Sequence, residues 1–214
     1  MKNKLELYVN KKFDALQIIK MVFKRKNWGE KYTLYKNEDY EVICRLEEFN
    51  FSYSRAKFII EVNEIKDIHY YNYDMYIYTD REDYTLQFVN KLILRSCKSA
   101  LRGLLNEIAD SKARDVYPYQ WMESSNRAKY IKLLGIEEDV EKIENLDMNS
   151  DIRESLIDKL LDTKWNEYIN EVVYEPRYKM IDSLKSDYNF CSGIRNLIEE
   201  IDEEYNKLIE KESE

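Results

Sequence analysis

The chain has 214 residues, 44% hydrophobic and 36% charged, which allows one large domain or two small ones and excludes a disordered polymer. Its formal net charge of -8 is unevenly spread: residues 1–114 carry a net +4 and residues 115–214 a net -12. Whole-surface DNA binding calls for positive potential, so this balance argues against it and suits a basic protein surface, including one that ordinarily holds nucleic acid.

Four glycines and two prolines leave few breaks and favour long regular elements. Nineteen tyrosines suit strands and interfaces, because the ring is apolar and its tip is polar. Cys44, Cys97 and Cys191 are odd in number and far apart, so no disulfide framework is implied and a reducing compartment is expected. No run reaches the roughly 18 apolar residues of a membrane span, and the first residues lack a signal-peptide core. A cytoplasmic protein is therefore expected. The weight of Lys, Asn, Ile and Tyr suggests an AT-rich coding sequence, as in a bacterium or its phage.

In chain order, residues 5–9 read as a strand and 13–26 as a helix with Phe13, Leu16, Ile19, Val22 and Phe23 on one face. Strands follow at 32–36 and 40–46, flanking the turn signal Asn37-Glu38-Asp39, and at 57–62. A hairpin is expected next, with 74–79 and 84–89 paired across Asp80-Arg81-Glu82-Asp83. Alternation leaves open whether Met75 and Ile77 or Tyr76 and Tyr78 face inward.

Residues 91–110 form the junction helix. Ile93, Cys97, Ala100, Leu101, Leu104 and Ile108 recur at helical spacing and make its apolar face. Lys91, Arg95, Lys98 and Arg102 step by four, three and four and form a basic ridge. Such a ridge grips phosphates or a partner's carboxylates, or pairs with acidic residues of the same chain. A small curved sheet closed by a helix is similar to the arrangement in pleckstrin-homology-like barrels.

Beyond residue 110 the pattern is helical. The stretch 117–122 contains Tyr117, Tyr119 and Trp121; large aromatics are mostly buried, so it is expected to cover the core, and exposed it would anchor a partner. Helices are read at 125–134 ended by Gly135, at 137–145, and at 151–173 with Asp151 capping and Glu154 three residues on. Ile152, Leu156, Leu160, Trp165, Tyr168, Ile169 and Val172 are its expected buried side. Tyr174-Glu175-Pro176 breaks the pattern, and helices 177–188 and 192–211 complete a bundle. In the last, Ile194, Ile198, Ile201, Tyr205 and Leu208 form a seam expected to pack inside that bundle, while Glu199, Glu200, Asp202, Glu203 and Glu204 crowd the same helix. The expected architecture is α+β: a small antiparallel sheet with a packed helix in 1–110, then an all-α helical domain in 111–214.

Catalytic and cofactor signatures are weak. Cys44, His69, Cys97 and Cys191 lack zinc-ligand spacing, no serine sits in GxSxG, and no phosphate-binding glycine loop occurs. Glu64-Ile65-Lys66 with Asp39 resembles half of a Mg²⁺ nuclease site, but about three ExK triplets arise by chance in this composition. The expectation is a protein without catalytic residues, metal or cofactor that binds another protein or a protein–nucleic acid complex through a basic partner surface. Its sharpest form is a phage- or mobile-element-type inhibitor of a bacterial nucleic-acid-handling defence complex. The partner-binding candidates are Glu199, Glu200, Asp202, Glu203 and Glu204, the aromatic Tyr117, Tyr119 and Trp121, and the basic Lys91, Arg95, Lys98 and Arg102. One alternative is a nucleic-acid binder that uses this ridge with Lys20, Lys24, Arg25 and Lys26. Another is a cryptic nuclease built on Asp39, Glu64 and Lys66.

Overall fold

Alternating apolar and polar residues with few breaks build a four-stranded antiparallel meander, followed by helices. The computed structural model describes residues 31–50, 55–66, 69–78, 86–123 and 126–210. The strand expected at 5–9, the helix at 13–26 and its basic end Lys20, Lys24, Arg25 and Lys26 lie outside these residues.

The strands are β1 (Lys31–Lys36), β2 (Tyr40–Asn50), β3 (Arg55–Glu64) and β4 (Tyr70–Tyr78), paired in sequence order. The expected turn joins β1 to β2: the Asn37 side-chain oxygen accepts from the backbone N–H of Asp39 at 3.0 Å and of Tyr40 at 2.8 Å. This is the local side-chain bond that makes Asn a turn residue. Among the described residues β1 and β4 do not pair with each other, so these four strands form an open meander.

Register puts Val42 opposite Val62, Cys44 opposite Ile60 and Phe58 opposite Met75, and all six are buried. Met75, and not Tyr76, therefore faces the core. The opposite face carries a chain of ion pairs running Lys31–Glu61–Arg45–Glu47–Lys57–Asp74. Burial of the Cys44 thiol pushes its pKa up to about 12, which keeps it a neutral apolar group.

The helices are α1 (Leu86–Val116), α2 (Arg127–Leu134), α3 (Glu137–Glu144), α4 (Ser150–Ile169), α5 (Glu175–Ser186) and α6 (Ser192–Glu210). The junction helix is thus longer than expected, and the hairpin partner 84–89 is not a strand where it is described: residues 86–89 open α1. The reason lies in the helical spacing of Val89, Ile93, Cys97 and Leu101, which puts Val89 on the buried face.

The chain divides into two compact units. In its described residues the first comprises 31–108 and 187–210, and the second 109–186. The last helix, expected in a C-terminal bundle, packs on the sheet. Its Ile194, Leu197 and Ile201 are buried in one core with Phe58, Ile60, Leu101 and Leu104. Full burial of each such side chain contributes about 1.5–3 kcal/mol over exposure.

Two glycines permit close approach in this unit. A Cβ at Gly103 would lie 2.2 Å from the ring of Tyr71 on β4, and one at Gly193 would lie 3.0 Å from the ring of Tyr40. The side-chain amide of Asn37 also donates to the Gly193 carbonyl at 2.9 Å, so the start of α6 is fastened to the β1–β2 turn.

The second unit packs Tyr130, Ile136, Val140, Ile157 and Leu161 into its own core. Gly135, at φ 64°, ends α2 as expected. The cap of α4 is Asn149, whose side chain accepts from the Asp151 N–H at 2.7 Å, and not Asp151; Glu154 pairs with Arg127 instead of completing a capping box. The buried side of α4 is also rotated from the expectation. Ile169 is buried and Leu160 and Trp165 pack on the core as expected, but Ile157 and Leu161 are buried where Ile152 and Leu156 were expected, and Val172, beyond the helix, is exposed. Apolar residues lie all round this helix, and packing against α2 and α3 selects which of them go in.

Pro176 does not break the chain here. Between α4 and α5 a π turn (Asn170–Tyr174) intervenes, with the Glu175 N–H donating to the Asn170 carbonyl. The widened turn carries the helix past a residue that lacks its own donor.

Candidate interaction surfaces

In the first unit the basic ridge of α1 and the acidic helix α6 form the two walls of one groove. Leu94, Arg95, Lys98, Ser99 and Arg102 come from α1, and Ile201, Asp202 and Tyr205 from α6, around an open cleft of about 400 Å³. Leu94 and Ile201 are buried, so the floor is apolar and the rim charged.

Two of the expected partner-binding cations are engaged within the chain. The Lys98 ammonium lies 2.5 Å from each Asp202 carboxylate oxygen. Arg95 donates to the Tyr205 hydroxyl, and its guanidinium carbon stands 5.2 Å from the centre of that ring. Lys91 lies on the ridge beyond the groove. Arg102 is exposed and has no ion-pair partner among the described residues.

The acidic residues of α6 separate into two sets. Glu204 accepts from the hydroxyl of the half-buried Tyr35 at 2.5 Å. Burial first, then this carboxylate, raise the Tyr35 pKa above the ordinary phenol range. Asp202 is taken by Lys98. Glu199, Glu200 and Glu203 are exposed on the outward side; Glu199 accepts from Tyr188 at 3.3 Å and Glu203 stands 3.9 Å from Lys207. The seam steps that bury Ile194 and Ile201 and pack Ile198 and Tyr205 against the same core leave this outward stripe acidic.

The aromatic loop belongs to the second unit, and its burial was the wrong expectation. Trp121 is 81% exposed and Tyr119 52%, while Tyr117 is half-buried. The side chains that cover this unit's core instead include Met122, Trp165 and Leu160.

The loop is nevertheless fastened at both ends. The Tyr117 N–H donates to the Ala113 carbonyl at 2.8 Å, and the Tyr130 hydroxyl takes the Glu123 N–H at 3.3 Å and reaches the Trp121 carbonyl at 3.5 Å. Between them the Tyr119 ring stacks on the guanidinium of Arg177 at 4.5 Å and meets Tyr174 edge-on at 6.3 Å. Arg177 itself is buried. Its Nη2 and Nε donate to one Asp110 oxygen at 2.6 and 3.2 Å, and Arg114 takes the other at 3.1 Å. Sequence pattern gave no sign of this pair, because its members are 67 residues apart and neither stands in a motif.

In the nuclease-like pattern Lys66 pairs with Asp39, while Glu64 turns to His69, outside the pattern. Lys66 is 3.2 Å from Asp39, and Glu64 is 3.1 Å from His69. Among the described residues no group of three or more His, Cys, Asp or Glu could hold a metal ion, and no helix is long and apolar enough to cross a membrane. Comparison with protein-family models, with curated proteins and with solved structures finds no match.

Proposed function

We propose that this chain is a non-catalytic module that binds another protein, or a protein–nucleic acid complex, through a basic surface on the partner. The observation that carries this reading is Trp121: a tryptophan 81% exposed on a loop tied at both ends. Exposed tryptophans are costly to leave in water and are enriched among residues that dominate binding. A loop already held in place loses little entropy on association. The outward carboxylates Glu199, Glu200 and Glu203 supply the acidic character that a basic surface would meet. In its sharpest form the module is a phage- or mobile-element-type inhibitor, acting in the cytoplasm, that covers the nucleic-acid site of a bacterial defence complex. The acidity and composition of the chain support that form.

The test is capture of the partner by the immobilised chain from bacterial lysate, followed by binding kinetics with the purified partner. Trp121→Ala is expected to speed dissociation, with a loss on the order of 2 kcal/mol as for interface anchors. Reversal of Glu199, Glu200 and Glu203 to Lys is expected to slow association, and added salt to do the same to the unaltered chain. Glu204 is kept, because it holds Tyr35. Unchanged kinetics in both variants overturn the reading. Cleavage of labelled DNA or RNA with Mg²⁺ that Glu64→Ala abolishes would replace it with the nuclease.

A further inference from the structure

The geometry points to the groove between α1 and α6 as a binding site for a phosphate group, held by Arg95, Lys98 and Arg102. This goes beyond the partner-binding reading and stands without it, since Trp121 and the outward carboxylates take no part.

Three cations and one carboxylate line the cleft, so it carries an excess of two positive charges in a chain whose net charge is -8. They stand at i, i+3 and i+7 of one helix and so project into the same space. Each has a different part. Arg95 is held by the Tyr205 hydroxyl and ring, which fixes the plane of its guanidinium and leaves further N–H donors toward the cleft. Arg102 is exposed and without an ion-pair partner among the described residues, so it meets a ligand first. Lys98 is held by Asp202, both oxygens at 2.5 Å, and these occupy the position that phosphate oxygens would take.

Asp202 therefore acts as an internal competitor. A ligand phosphate must displace it from Lys98 or add to the pair through the two arginines. The floor of Leu94 and Ile201 is apolar, so the charged groups of the cleft stand at its rim, open to a ligand. At about 400 Å³ the cleft falls within the roughly 300–1,000 Å³ of small-ligand sites and accepts a diphosphate or the backbone of a single strand. Phosphate is favoured over a carboxylate because its several oxygens serve two arginine forks and an ammonium at once.

Calorimetric titration of the full chain with inorganic pyrophosphate at low salt tests this, beside fluorescence anisotropy with a labelled single-stranded oligonucleotide. Three variants are compared: Arg102→Gln, Asp202→Asn, and Lys132→Gln as a control on an exposed cation of α2. Arg102→Gln is expected to weaken binding about tenfold, the worth of one charge-assisted contact. Asp202→Asn, which releases Lys98, is expected to tighten it, and Lys132→Gln to leave it unchanged. Binding of pyrophosphate assigns a free phosphate ligand; binding of the oligonucleotide alone assigns the phosphodiester backbone as the source. The proposal is overturned if neither probe binds, if Arg102→Gln and Lys132→Gln behave alike, or if Asp202→Asn binds more weakly.

Discussion

Lys98 on α1 and Asp202 on α6 face each other across 104 residues of sequence, with the ammonium 2.5 Å from each carboxylate oxygen. The contact joins the middle of the basic ridge to the acidic final helix. Both side chains remain partly exposed, at 24% and 43%, so solvent screens the pair. A double-mutant cycle with Lys98→Met and Asp202→Asn, followed by urea unfolding, is expected to give a coupling of about 0.2–1 kcal/mol. A coupling of zero would mean that this pair adds nothing to the packing and the other hydrogen bonds that hold α6.

At Gly103 the helix α1 lies against the Tyr71 ring of β4. An added Cβ would lie 2.2 Å from the Tyr71 ring, so Gly103→Ala forces that ring aside and is expected to cost about 1–3 kcal/mol. In a Tyr71→Ala background the clash is gone. There the same change is expected to be neutral or stabilising, because alanine is the better helix former by about 1 kcal/mol. Urea midpoints of the four proteins check the reversal of sign.

Leu104 is fully buried in the core shared by the sheet, α1 and α6. Leu104→Ala is expected to cost about 2–5 kcal/mol, as buried leucine truncations do. Ile65, 44% exposed after β3, serves as the comparison, with Ile65→Ala expected within about 0.5 kcal/mol. Similar losses in denaturant unfolding would show that the face with Leu104 is not core.

Acid should weaken the outer face of the sheet through Glu61. Burial favours its neutral form, but hydrogen bonds from Lys31 and Asn63 and the charges of Lys31 and Arg45 outweigh it, so its pKa lies below the ordinary 4.5. A carboxylate with a depressed folded-state pKa stabilises the fold above that ordinary value. The contribution is lost as pH falls through the folded value. Glu61→Gln is therefore expected to be less stable than the unaltered chain near neutrality, with the gap closing below about pH 4.5. Urea unfolding at a series of pH values measures the gap, and one that stays constant would place the effect in packing.

Where one periodicity dominated, the sequence was readable. Val42 and Cys44 share one strand face and are flanked by Glu41 and Arg45, and Ile93 to Ile108 repeat at helical spacing, so strand, helix and buried face followed directly. Where apolar residues surround an element the pattern could not choose, as on α4, where Ile157 and Leu161 are buried and Ile152 and Leu156 are not. At 86–89 the expected strand failed because Val89 also fits the helix that follows.

The basic ridge and the acidic helix were each visible as charge on one helix face, because side-chain direction in a helix is fixed by position. Their meeting was not visible, since which helix packs against which depends on burying distant apolar stripes together. Ile194, Leu197 and Ile201 find the sheet core rather than the neighbouring helices, and that choice brings Asp202 to Lys98 and Tyr205 to Arg95. Likewise the composition of 117–122 announced an aromatic loop, but exposure of Trp121 follows from Tyr119 stacking on Arg177 and from the Tyr130 hydroxyl holding the loop backbone. Sequence by itself determined most of the elements and, where one period dominated, their charged and apolar faces, which are local properties of spacing. Tertiary structure decided which faces meet and which aromatic stays in water, because those depend on contacts between residues far apart in the chain.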